Sequence, residues 1–429
     1  MAKASTPTPW LYLIGMGADG PYGLSAKARQ HLDKADVLVS SSRLFSLMPE
    51  DGRPRVNWES PLRDTLPEIE AHKGKIIAVI ATGDPLCYGV GTWLLTKFAL
   101  EDMVIIPGTS AFSLACARMG WAQQKTKLVT LHGRDDSTIR DAIAPNKNIV
   151  VLSENANTPS VVANHLRTLG YGASTMTVFR HMEGEGEERF DVVADQAEKT
   201  FDDAFAKNEA NDLNVIAISC VAAMDARNLS RAAGLPDDAF APFGKMTKRE
   251  LRALATAKLA PQAGDVLWDV GAGSGSISIE FLRLAPGGVS HTFDTDPMAQ
   301  AYQMENARNF GLSNLLVGHS CAMPLSSNDL AIPCPDALFL GGGIDQDVIH
   351  ASIVHLKTGG RLVAHAVTIE SEAHLIMAFQ RYGGNLTRVS IARSEAIKKQ
   401  TDAKTGHDFH GFKPAMTVTQ WSFQKESDL

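Results

Sequence analysis

The sequence predicts an α/β protein with two domains, and three observations support this fold class. Short runs rich in β-branched residues alternate with helical stretches through most of the chain, which is typical of parallel sheets covered by helices. The length of 429 residues corresponds to two or three domains. A glycine-rich turn follows an early apolar strand in each half, at 15–17 and at 271–275. We therefore expect domains at 1–225 and 243–429, joined by a linker at 226–242.

The composition is that of an ordinary globular protein, with 44% hydrophobic and 21% charged residues. The formal net charge of -7 disfavours a nucleic-acid partner, because neutralising phosphates requires a basic face. No stretch approaches the roughly 18 apolar residues of a membrane span, and the first ten residues lack an apolar signal core. The five cysteines are scattered and form no C-x-x-C pair. We expect a cytoplasmic protein without metal, membrane or nucleic-acid partners.

The first half contains repeated strand–turn units. Apolar strands are predicted within 10–20, 75–91, 103–120 and 148–170, with a last strand within 212–223. In the unit at 148–170, Asn157 or Thr158 is expected to cap a helix that has Pro159 in its first turn and ends at Gly170.

The second half restarts with a helix. Thr247 and Glu250 match the S/T-x-x-E capping box, which places the start of that helix at 247. Helices are predicted from the glycine turn to about Leu284 and from Pro297 to near Gly311. Strands are predicted at 266–269, 289–293, 315–317, 337–340 and 362–366, with a final pair near 386–392 and 415–422.

The glycine turn of the second half indicates its cofactor. Gly271, Gly273 and Gly275 form G-x-G-x-G, whereas a dinucleotide fingerprint needs a third glycine where this chain has Ser276. The spacing favours S-adenosylmethionine, which has no pyrophosphate. Asp294, at the end of the next strand, is suited to accept hydrogen bonds from both ribose hydroxyls. A structural glycine turn with a solvated aspartate is the alternative.

The order of segments from residue 266 onward resembles the class I, Rossmann-like methyltransferases. The run "LKTGGRLVAHAVT" at 356–368 resembles the turn and fifth strand of that fold. DNA and RNA amino-methyltransferases usually carry Asn/Asp-Pro-Pro-Tyr/Phe after the fourth strand, where this chain has "FLGGGI" at 339–344. A loop of glycines leaves room for a bulky substrate.

Three motifs of the first half resemble the loop signatures of the tetrapyrrole (precorrin) methylases. They are "GMG" at 15–17, "TGDP" at 82–85 and "PGTS" at 107–110. These class III methyltransferases bind S-adenosylmethionine in a cleft between two α/β lobes. The run "LHGRDD" at 131–136 is similar to one in the branch that methylates C5 of the ring.

The fused halves together resemble the two-domain precorrin methyltransferases of cobalamin synthesis. The resemblance implies C5 methylation by the first domain, and C15 methylation with decarboxylation of the C12 acetate by the second. It also implies a polycarboxylate precorrin substrate and two S-adenosylmethionine sites per chain. By analogy, we expect a homo-oligomer. Methyl transfer from a sulfonium has a neutral leaving group, so no catalytic base is assigned.

The resemblance implies a set of site residues. Cofactor contacts are expected at Gly15, Gly17, Gly83, Asp84, Pro85, Thr109 and Ser110 in the first domain. In the second domain they are expected at Thr247, Gly271, Ala272, Gly273, Ser274, Gly275, Asp294 and Ala322. Substrate contacts are expected at His132, Lys248, Arg249, Gly341, Gly342 and His365.

Several of these assignments have alternatives. Lys248 and Arg249 lie in the first turn of a helix, where cations oppose the macrodipole, so they face either a substrate carboxylate or solvent. Three residues depart from the family patterns, namely Arg180, Cys321 and His365. Two other functions remain open. The chain could methylate RNA or another small molecule with a single activity, or one half could be a non-catalytic scaffold.

Overall fold

A computed structural model describes residues 8–197, 213–226, 228–241, 246–324, 332–401 and 408–427. The chain divides into two compact units, residues 1–228 and 229–429. Each unit has its own sheets and its own apolar cores.

The first lobe of the first unit is a parallel five-stranded sheet with the order β3-β2-β4-β1-β5. Its strands are β1 (Leu11–Met16), β2 (Val37–Ser40), β3 (Arg55–Asn57), β4 (Ile77–Thr82) and β5 (Met103–Ile106). Its helices are α1 (Ala26–Asp33), α2 (Ser42–Ser46), α3 (Leu66–Ala71) and α4 (Val90–Leu94). The next helix, α5 (Ala111–Met119), follows β5 but packs on the sheet of the second lobe. Strands β1 and β2 are buried at every residue, which explains their continuous apolar sequences.

The second lobe is a mixed sheet with the order β6-β7-β10-β8-β9. It contains β6 (Thr126–Thr130), β7 (Asn148–Leu152), β8 (Thr175–Arg180), β9 (Glu188–Val193) and β10 (Asn214–Ser219), with α6 (Thr158–Thr168). Only β6 and β7 pair in parallel, so the expectation of parallel sheets is wrong for this lobe. The link from β8 to β9 is too short for a crossover helix, and the two strands therefore pair as an antiparallel hairpin.

The helix α6 begins as expected, but its cap differs in detail. Asn157 occupies the N-cap position without a side-chain hydrogen bond to the helix, and Pro159 lies in the first turn. The Thr158 hydroxyl instead accepts hydrogen bonds from the N–H groups of Glu154 and Asn155, each at 3.1 Å. Thr158 thus orders the loop before the helix.

The second unit contains a seven-stranded sheet with the order β13-β12-β11-β14-β15-β19-β16. The strands are β11 (Val266–Val270), β12 (Val289–Phe293), β13 (Leu316–His319), β14 (Ala337–Leu340), β15 (Arg361–Ala366), β16 (Asn385–Val389), β17 (Ala392–Thr401), β18 (Asp408–Pro414) and β19 (Val418–Gln424). The helices are α7 (Arg249–Leu259), α8 (Ser276–Leu284), α9 (Ala299–Asn309), α10 (Gln346–His355) and α11 (Ile369–Tyr382). The first five strands of the order are parallel to one another, and β19 pairs antiparallel with both of its neighbours, β15 and β16.

The predicted strands of this unit lie within a few residues of the observed ones, apart from one addition. Strands β17 and β18 form a separate two-stranded ribbon that the sequence analysis did not predict. The ribbon interrupts the connection between β16 and β19. None of its described side chains, at 392–397 and 409–414, is buried, so the periodicity that reveals a core strand is missing there.

The segment expected as a linker packs on the second unit from residue 229 onward. Leu235 and Phe240 are buried in a cluster with residues of α8 and α9, and the Phe240 ring lies 5.3 Å from that of Phe310. Residues 227 and 242–245 lie outside the described part of the chain. The described residues 229–241 are therefore an integral part of this unit.

Candidate cofactor and substrate sites

Three glycines meet at the carboxyl end of the parallel sheet in the first unit. Gly15 lies in β1, and Gly83 and Gly108 follow β4 and β5. The Gly108 N–H donates to the Gly83 carbonyl at 3.3 Å. A Cβ on Gly15 would lie 2.0 Å from the Gly83 oxygen and 2.3 Å from the Gly108 nitrogen. A side chain on Gly15 would force the strand ends apart, so glycine is required there for the three backbone segments to touch.

Two cavities lie in the first unit, and both take residues from each of its lobes. The larger has a volume of about 400 Å³ and the smaller about 60 Å³. Both are lined by Thr82 and Gly83 from the first lobe and by 213–215 from the second. Because the cavities share these walls, an extended ligand can occupy both.

Most residues predicted for the first site line these cavities. Asp84, Ser110 and His132 line the larger cavity, Gly17 and Thr109 line the smaller, and Gly83 lines both. Gly15 and Pro85 line neither cavity. Pro85 is buried, and its carbonyl accepts the Gly91 N–H at 3.0 Å, so its contribution is to shape the loop.

The polar residues among them have defined partners. Asp84 Oδ1 accepts the Leu86 N–H at 2.9 Å and so caps its own turn. The Ser110 hydroxyl accepts the Ser113 N–H at 3.1 Å as the N-cap of α5. His132 Nδ1 lies 3.1 Å from Glu154 Oε2, and the His132 side chain is 72% exposed. His132 is thus accessible to a ligand in the cleft.

Asn214 is a buried residue of this site that the sequence analysis missed. Its Oδ1 accepts the Ser153 hydroxyl at 2.6 Å, and its Nδ2 donates to the Asn155 carbonyl at 3.1 Å. Asn214 lines both cavities. The sequence feature that could have indicated Asn214 is its position as a polar residue at the start of a mostly apolar strand. Its hydrogen-bond partners, Ser153 and Asn155, lie about 60 residues away in sequence, so the sequence alone does not reveal them.

Arg180, one of the residues that depart from the expected family pattern, has a structural explanation in this chain. It is 8% exposed and forms an ion pair with Glu188, its neighbour across the β8–β9 hairpin. Its guanidinium carbon lies 4.6 Å from the centre of the Phe190 ring. The arginine is therefore held by the adjacent strand.

A group of glycines in the second unit, the glycine cradle, surrounds a cavity of about 90 Å³. Gly271 has φ +68°, and a Cβ on it would lie 2.7 Å from the Gly342 nitrogen, so only glycine allows the two loops to touch. The cavity brings together the predicted residues Thr247, Gly271, Ala272, Gly273, Ser274 and Gly341. Gly275 stands behind them as the N-cap of α8.

Two buried side chains of α9 hold this glycine loop in place. Gln303 Nε2 donates to the Gly273 carbonyl at 3.2 Å, and Asn306 Nδ2 donates to the Ser274 carbonyl at 2.9 Å. Gln303 is 1% exposed and Asn306 is fully buried. The sequence analysis missed both. Two amides three residues apart lie on one face of a helix, but this pattern does not show which loop the face contacts.

Asp294 lies where the sequence analysis placed it, directly after β12. Its Oδ2 accepts the Gly273 N–H at 2.8 Å, and its Oδ1 accepts the Asp296 N–H at 2.9 Å. Each carboxylate oxygen can accept a further hydrogen bond. Asp294 can thus hold the glycine loop and bind a diol at the same time.

Asp269, at the end of β11, has an acceptor that no protein group satisfies among the described residues. Its Oδ2 accepts hydrogen bonds from Ser278, from the hydroxyl at 2.6 Å and from the N–H at 3.2 Å. Its Oδ1 is buried without a hydrogen-bond partner, and Asp269 lines the cradle cavity. Burial raises the pKa of this carboxyl to about 6. A buried acceptor of this kind fits a ligand that carries a cationic donor.

We expect the stability of the second unit to decrease as pH rises from about 4 to about 6. The native pKa of Asp269 is about 6 and the unfolded one about 3.9, so the native state binds the proton more tightly in this window. The free energy of unfolding should fall by on the order of 3 kcal/mol across the window and be flat above it. Hydrogen-exchange protection of β11, measured against pH, tests this. Asp269→Asn should remove the difference, and an unchanged slope in that variant would contradict the assignment.

The predicted substrate residues of the second unit are not gathered at one place. Lys248 is exposed at the N-cap position of α7, and Arg249 Nε donates to the Gly234 carbonyl at 2.7 Å. His365 is 8% exposed, with its Nε2 2.9 Å from Gln420 Oε1 and its ring edge-on to Phe339. His365 therefore packs against the ring of Phe339, and Phe339 in turn lines the cradle cavity.

The capping box predicted for the start of α7 is wrong. The helix begins at Arg249 with Lys248 as N-cap, and no side chain caps it. The Thr247 carbonyl accepts Arg252 Nη1 at 2.6 Å, and Glu250 pairs with Arg393 of the ribbon. Of these contacts, the pairing with Arg393 occupies a group that the capping box would use, the Glu250 carboxylate. Thr247 faces the cradle cavity instead.

A further cavity of about 430 Å³ lies at the carboxyl end of β15, the strand next to β14 in the sheet. It is lined by Val367, Thr368, Ile369, Glu372, Arg388 and Met416, among others. Arg388 pairs with Glu372, which also accepts the Thr419 hydroxyl at 2.7 Å. Ala322 is exposed after β13, beside the exposed Cys321, and the cofactor contact expected for Ala322 stays a prediction.

In the described part of the chain, no helix is long and apolar enough to cross a membrane. The same residues contain no group of three or more His, Cys, Asp or Glu that could hold a metal ion. All five cysteines are free.

Comparison with known proteins agrees with the two-part organisation. A family model described as tetrapyrrole (corrin/porphyrin) methylases matches residues 10–196, and one described as precorrin methyltransferase domain matches 238–425. A cobalt-precorrin-7 C(5)-methyltransferase of Salmonella typhimurium is 31% identical over 177 residues, 41% of this chain and 87% of that protein. A probable cobalt-precorrin-6B C(15)-methyltransferase (decarboxylating) of Saccharolobus solfataricus is 32% identical over 179 residues, 39% of this chain and 88% of that protein.

A third relative matches nearly the full length of this chain. A precorrin-6Y C(5,15)-methyltransferase (decarboxylating) of Sinorhizobium sp. is 38% identical over 421 residues, which are 97% of each chain. At this identity and coverage, the chain belongs to the precorrin-6Y C(5,15)-methyltransferase (decarboxylating) family.

Proposed function

We propose that this chain transfers methyl groups from S-adenosylmethionine to C5 and C15 of a reduced precorrin and removes the C12 acetate carboxylate as CO2, in cobalamin biosynthesis. The observation that carries this proposal is the presence of two separate glycine-walled sites, one in each unit of a chain similar to a C(5,15)-methyltransferase over its whole length. Each site has room at its edge for a larger substrate.

We assign C5 methylation to the first unit, and C15 methylation with decarboxylation to the second. Two relatives named for a single methylation position each match about two fifths of this chain, which is close to the size of one unit. The two family models match separate halves. These findings support two complete catalytic units and disfavour a scaffold with one activity.

In the first unit, the residues present fit a nucleoside ligand that lies flat on backbone. Gly83, which lines both cavities, and Gly17, which lines the smaller one, carry no side chain, and Thr109 also lines the smaller cavity. S-adenosylmethionine, when bound, supplies an activated methyl group whose leaving group is neutral. The task of these residues is therefore to orient the ring carbon towards the methyl group and to exclude water.

In the second unit, the orphaned buried acceptor and the glycine cradle fit the same ligand. Asp269 Oδ1 would accept the ammonium of the amino acid part, and Asp294 would accept the ribose hydroxyls. Gln303 and Asn306 fix the loop carbonyls beforehand, so the cradle needs little rearrangement on binding.

Decarboxylation needs an environment that solvates a carboxylate poorly at the bond that breaks. The cavity beside β15 is open and mixed in character: Val367, Ile369 and Met416 are between 49% and 83% exposed around it, and the ion pair of Arg388 with Glu372 lines it as well. A macrocycle bound there would cover the apolar side chains and exclude water from its acetate. Its strand neighbours β14, which leads to the cradle, so one macrocycle can lie across both strand ends. Charge left on the macrocycle after CO2 departs is delocalised by the ring itself.

Calorimetry on the full chain tests the two-site proposal directly. S-adenosylhomocysteine, the unreactive product, should bind with two equivalents per chain. Mass spectrometry of the product from a reduced precorrin should show two added methyl groups and loss of CO2. One equivalent of ligand and a single added methyl group would contradict the proposal and leave one unit as a scaffold.

A further inference from the structure

Arg43 lines the cleft of the first unit without a carboxylate partner. It lies on α2 in the first lobe, lines the smaller cavity, and donates from Nη2 to the Thr82 hydroxyl at 2.7 Å. Among the described residues no Asp or Glu forms an ion pair with it. Partial burial lowers the pKa of its guanidinium. The cleft thus holds a solvent-accessible cation whose counter-charge the described protein does not supply.

Arg134 presents a second guanidinium to the same cleft from the opposite lobe. It follows β6, and its guanidinium carbon lies 5.6 Å from the centre of the Tyr88 ring, which belongs to the first lobe. Tyr88 lines the larger cavity and is 50% exposed. Within the described ranges Arg134 also has no ion-pair partner. The contact between Arg134 and Tyr88 therefore spans the mouth of the cleft.

Several other arginines of this unit form ion pairs with acidic side chains. Arg53 pairs with Asp51, Arg118 with Glu187 and Arg189 with Asp191. A guanidinium stays charged at any physiological pH. Arg43 and Arg134 are exposed to solvent at a ligand cleft and have no carboxylate partner in the described chain, so both are available to anions that a ligand brings.

Acidic residues near the cleft do not neutralise these cations. Glu183 lines the smaller cavity, but burial and the nearby Asp19 raise its pKa, and its cationic neighbour is Arg118. Glu154 lies against His132. Asp84 accepts a backbone N–H in its own turn.

We propose that Arg43 and Arg134 bind two carboxylate side chains of the precorrin from opposite lobes and so determine which edge of the macrocycle faces the methyl group. Guanidinium groups bind carboxylates with two parallel hydrogen bonds, which fixes orientation as well as affinity. Tyr88 and Trp58 line the larger cavity and offer aromatic surface to the macrocycle between these anchors. The inference rests on the proposed function of the first unit in C5 methylation.

Steady-state kinetics of the full chain with a reduced precorrin tests this, with C5 and C15 methylation resolved by mass spectrometry. Arg43→Gln and Arg134→Gln should each raise KM for C5 methylation roughly 10- to 100-fold, the loss expected for a charged hydrogen bond. KM for C15 methylation and the affinity for S-adenosylhomocysteine should stay at wild-type values. Arg63→Gln is the matched control, because Arg63 is 79% exposed, pairs with Asp64 and lines neither cavity.

A competition experiment identifies the group that is recognised. Uroporphyrin, a stable octacarboxylate, should inhibit wild-type C5 methylation at least about 10-fold more strongly than its octamethyl ester. The Arg43→Gln/Arg134→Gln double variant should lose this preference. An unchanged KM in both single variants, or a preference retained in the double variant, would overturn the proposal. A wild-type chain that methylates C15 but never C5 would instead refute the function assigned to the first unit.

Discussion

Asp294→Ala is expected to abolish methylation at C15 and release of CO2, while methylation at C5 continues. The variant loses the acceptor for the Gly273 N–H, which holds the cradle loop, and the carboxylate proposed to bind the ribose. Losing charged hydrogen bonds of this kind costs about 1.5–3 kcal/mol each, so we expect at least about a 100-fold loss of C15 activity. Calorimetry should find one S-adenosylhomocysteine equivalent per chain, the one in the first unit.

Asp296→Ala is the matched control for this experiment. Asp296 lies two residues further on the same loop, is exposed, and caps only the Met298 N–H. Its backbone N–H, which donates to Asp294, is kept in the variant. Parallel loss of C5 and C15 methylation in Asp294→Ala would show that the two activities are not divided between the units.

Arg252→Met is expected to destabilise the second unit by about 3–5 kcal/mol, the cost of removing one partner from a buried ion pair. Arg252 is fully buried, donates from Nε to Glu280 Oε1 at 2.9 Å and from Nη1 to Asp237 Oδ1 at 2.8 Å, and lies over Phe240. Methionine fills much of the volume but leaves the Glu280 carboxylate buried without its cation. Denaturation followed by hydrogen exchange in α7 and α8 measures the change.

The same variant should also weaken cofactor binding in the second unit, because Arg252 holds the carbonyl of Thr247 beside the cradle cavity. Arg381→Met is the control, since Arg381 is exposed and contacts the ring of the adjacent Tyr382. Adding Glu280→Gln to Arg252→Met should recover part of the stability, because the unpaired buried charge is then gone. A loss no larger than that of the control would show that the buried pair contributes little.

The parts of the fold that depend on local sequence were predictable. Strand positions in the second unit follow from apolar runs bounded by turn residues, and β11, β12 and β14 were placed to within about one residue. The second lobe of the first unit was harder. Its apolar strands look alike in sequence whether they pair in parallel or not, and the connection from β8 to β9 determines the antiparallel order. The β17–β18 ribbon was missed because none of its described side chains is buried.

The candidate sites divide in the same way. Glycines that must touch another backbone, such as Gly271 against Gly342, are visible from spacing because no other residue fits. The supports of the loop were not visible, since Gln303 and Asn306 look like any amides on a helix until the helix is docked. The capping box at 247–250 shows the reverse error: the local motif is valid, but Lys248 rather than Thr247 is the N-cap and the Glu250 carboxylate pairs with Arg393.

The sequence by itself determined the two α/β halves, the glycine turns and the aspartate after β12, and hence the family and its cofactor. These features are local, because turn geometry and strand periodicity act over a few residues. Only the tertiary structure decided which polar groups are satisfied and which are left for a ligand. Arg252 finds Glu280 across 28 positions and His365 finds Gln420 across 55, whereas Asp269 Oδ1 finds no partner and Arg43 no carboxylate in the described chain. Pairing over such separations depends on how the elements pack, and the groups left unpaired by that packing mark the sites.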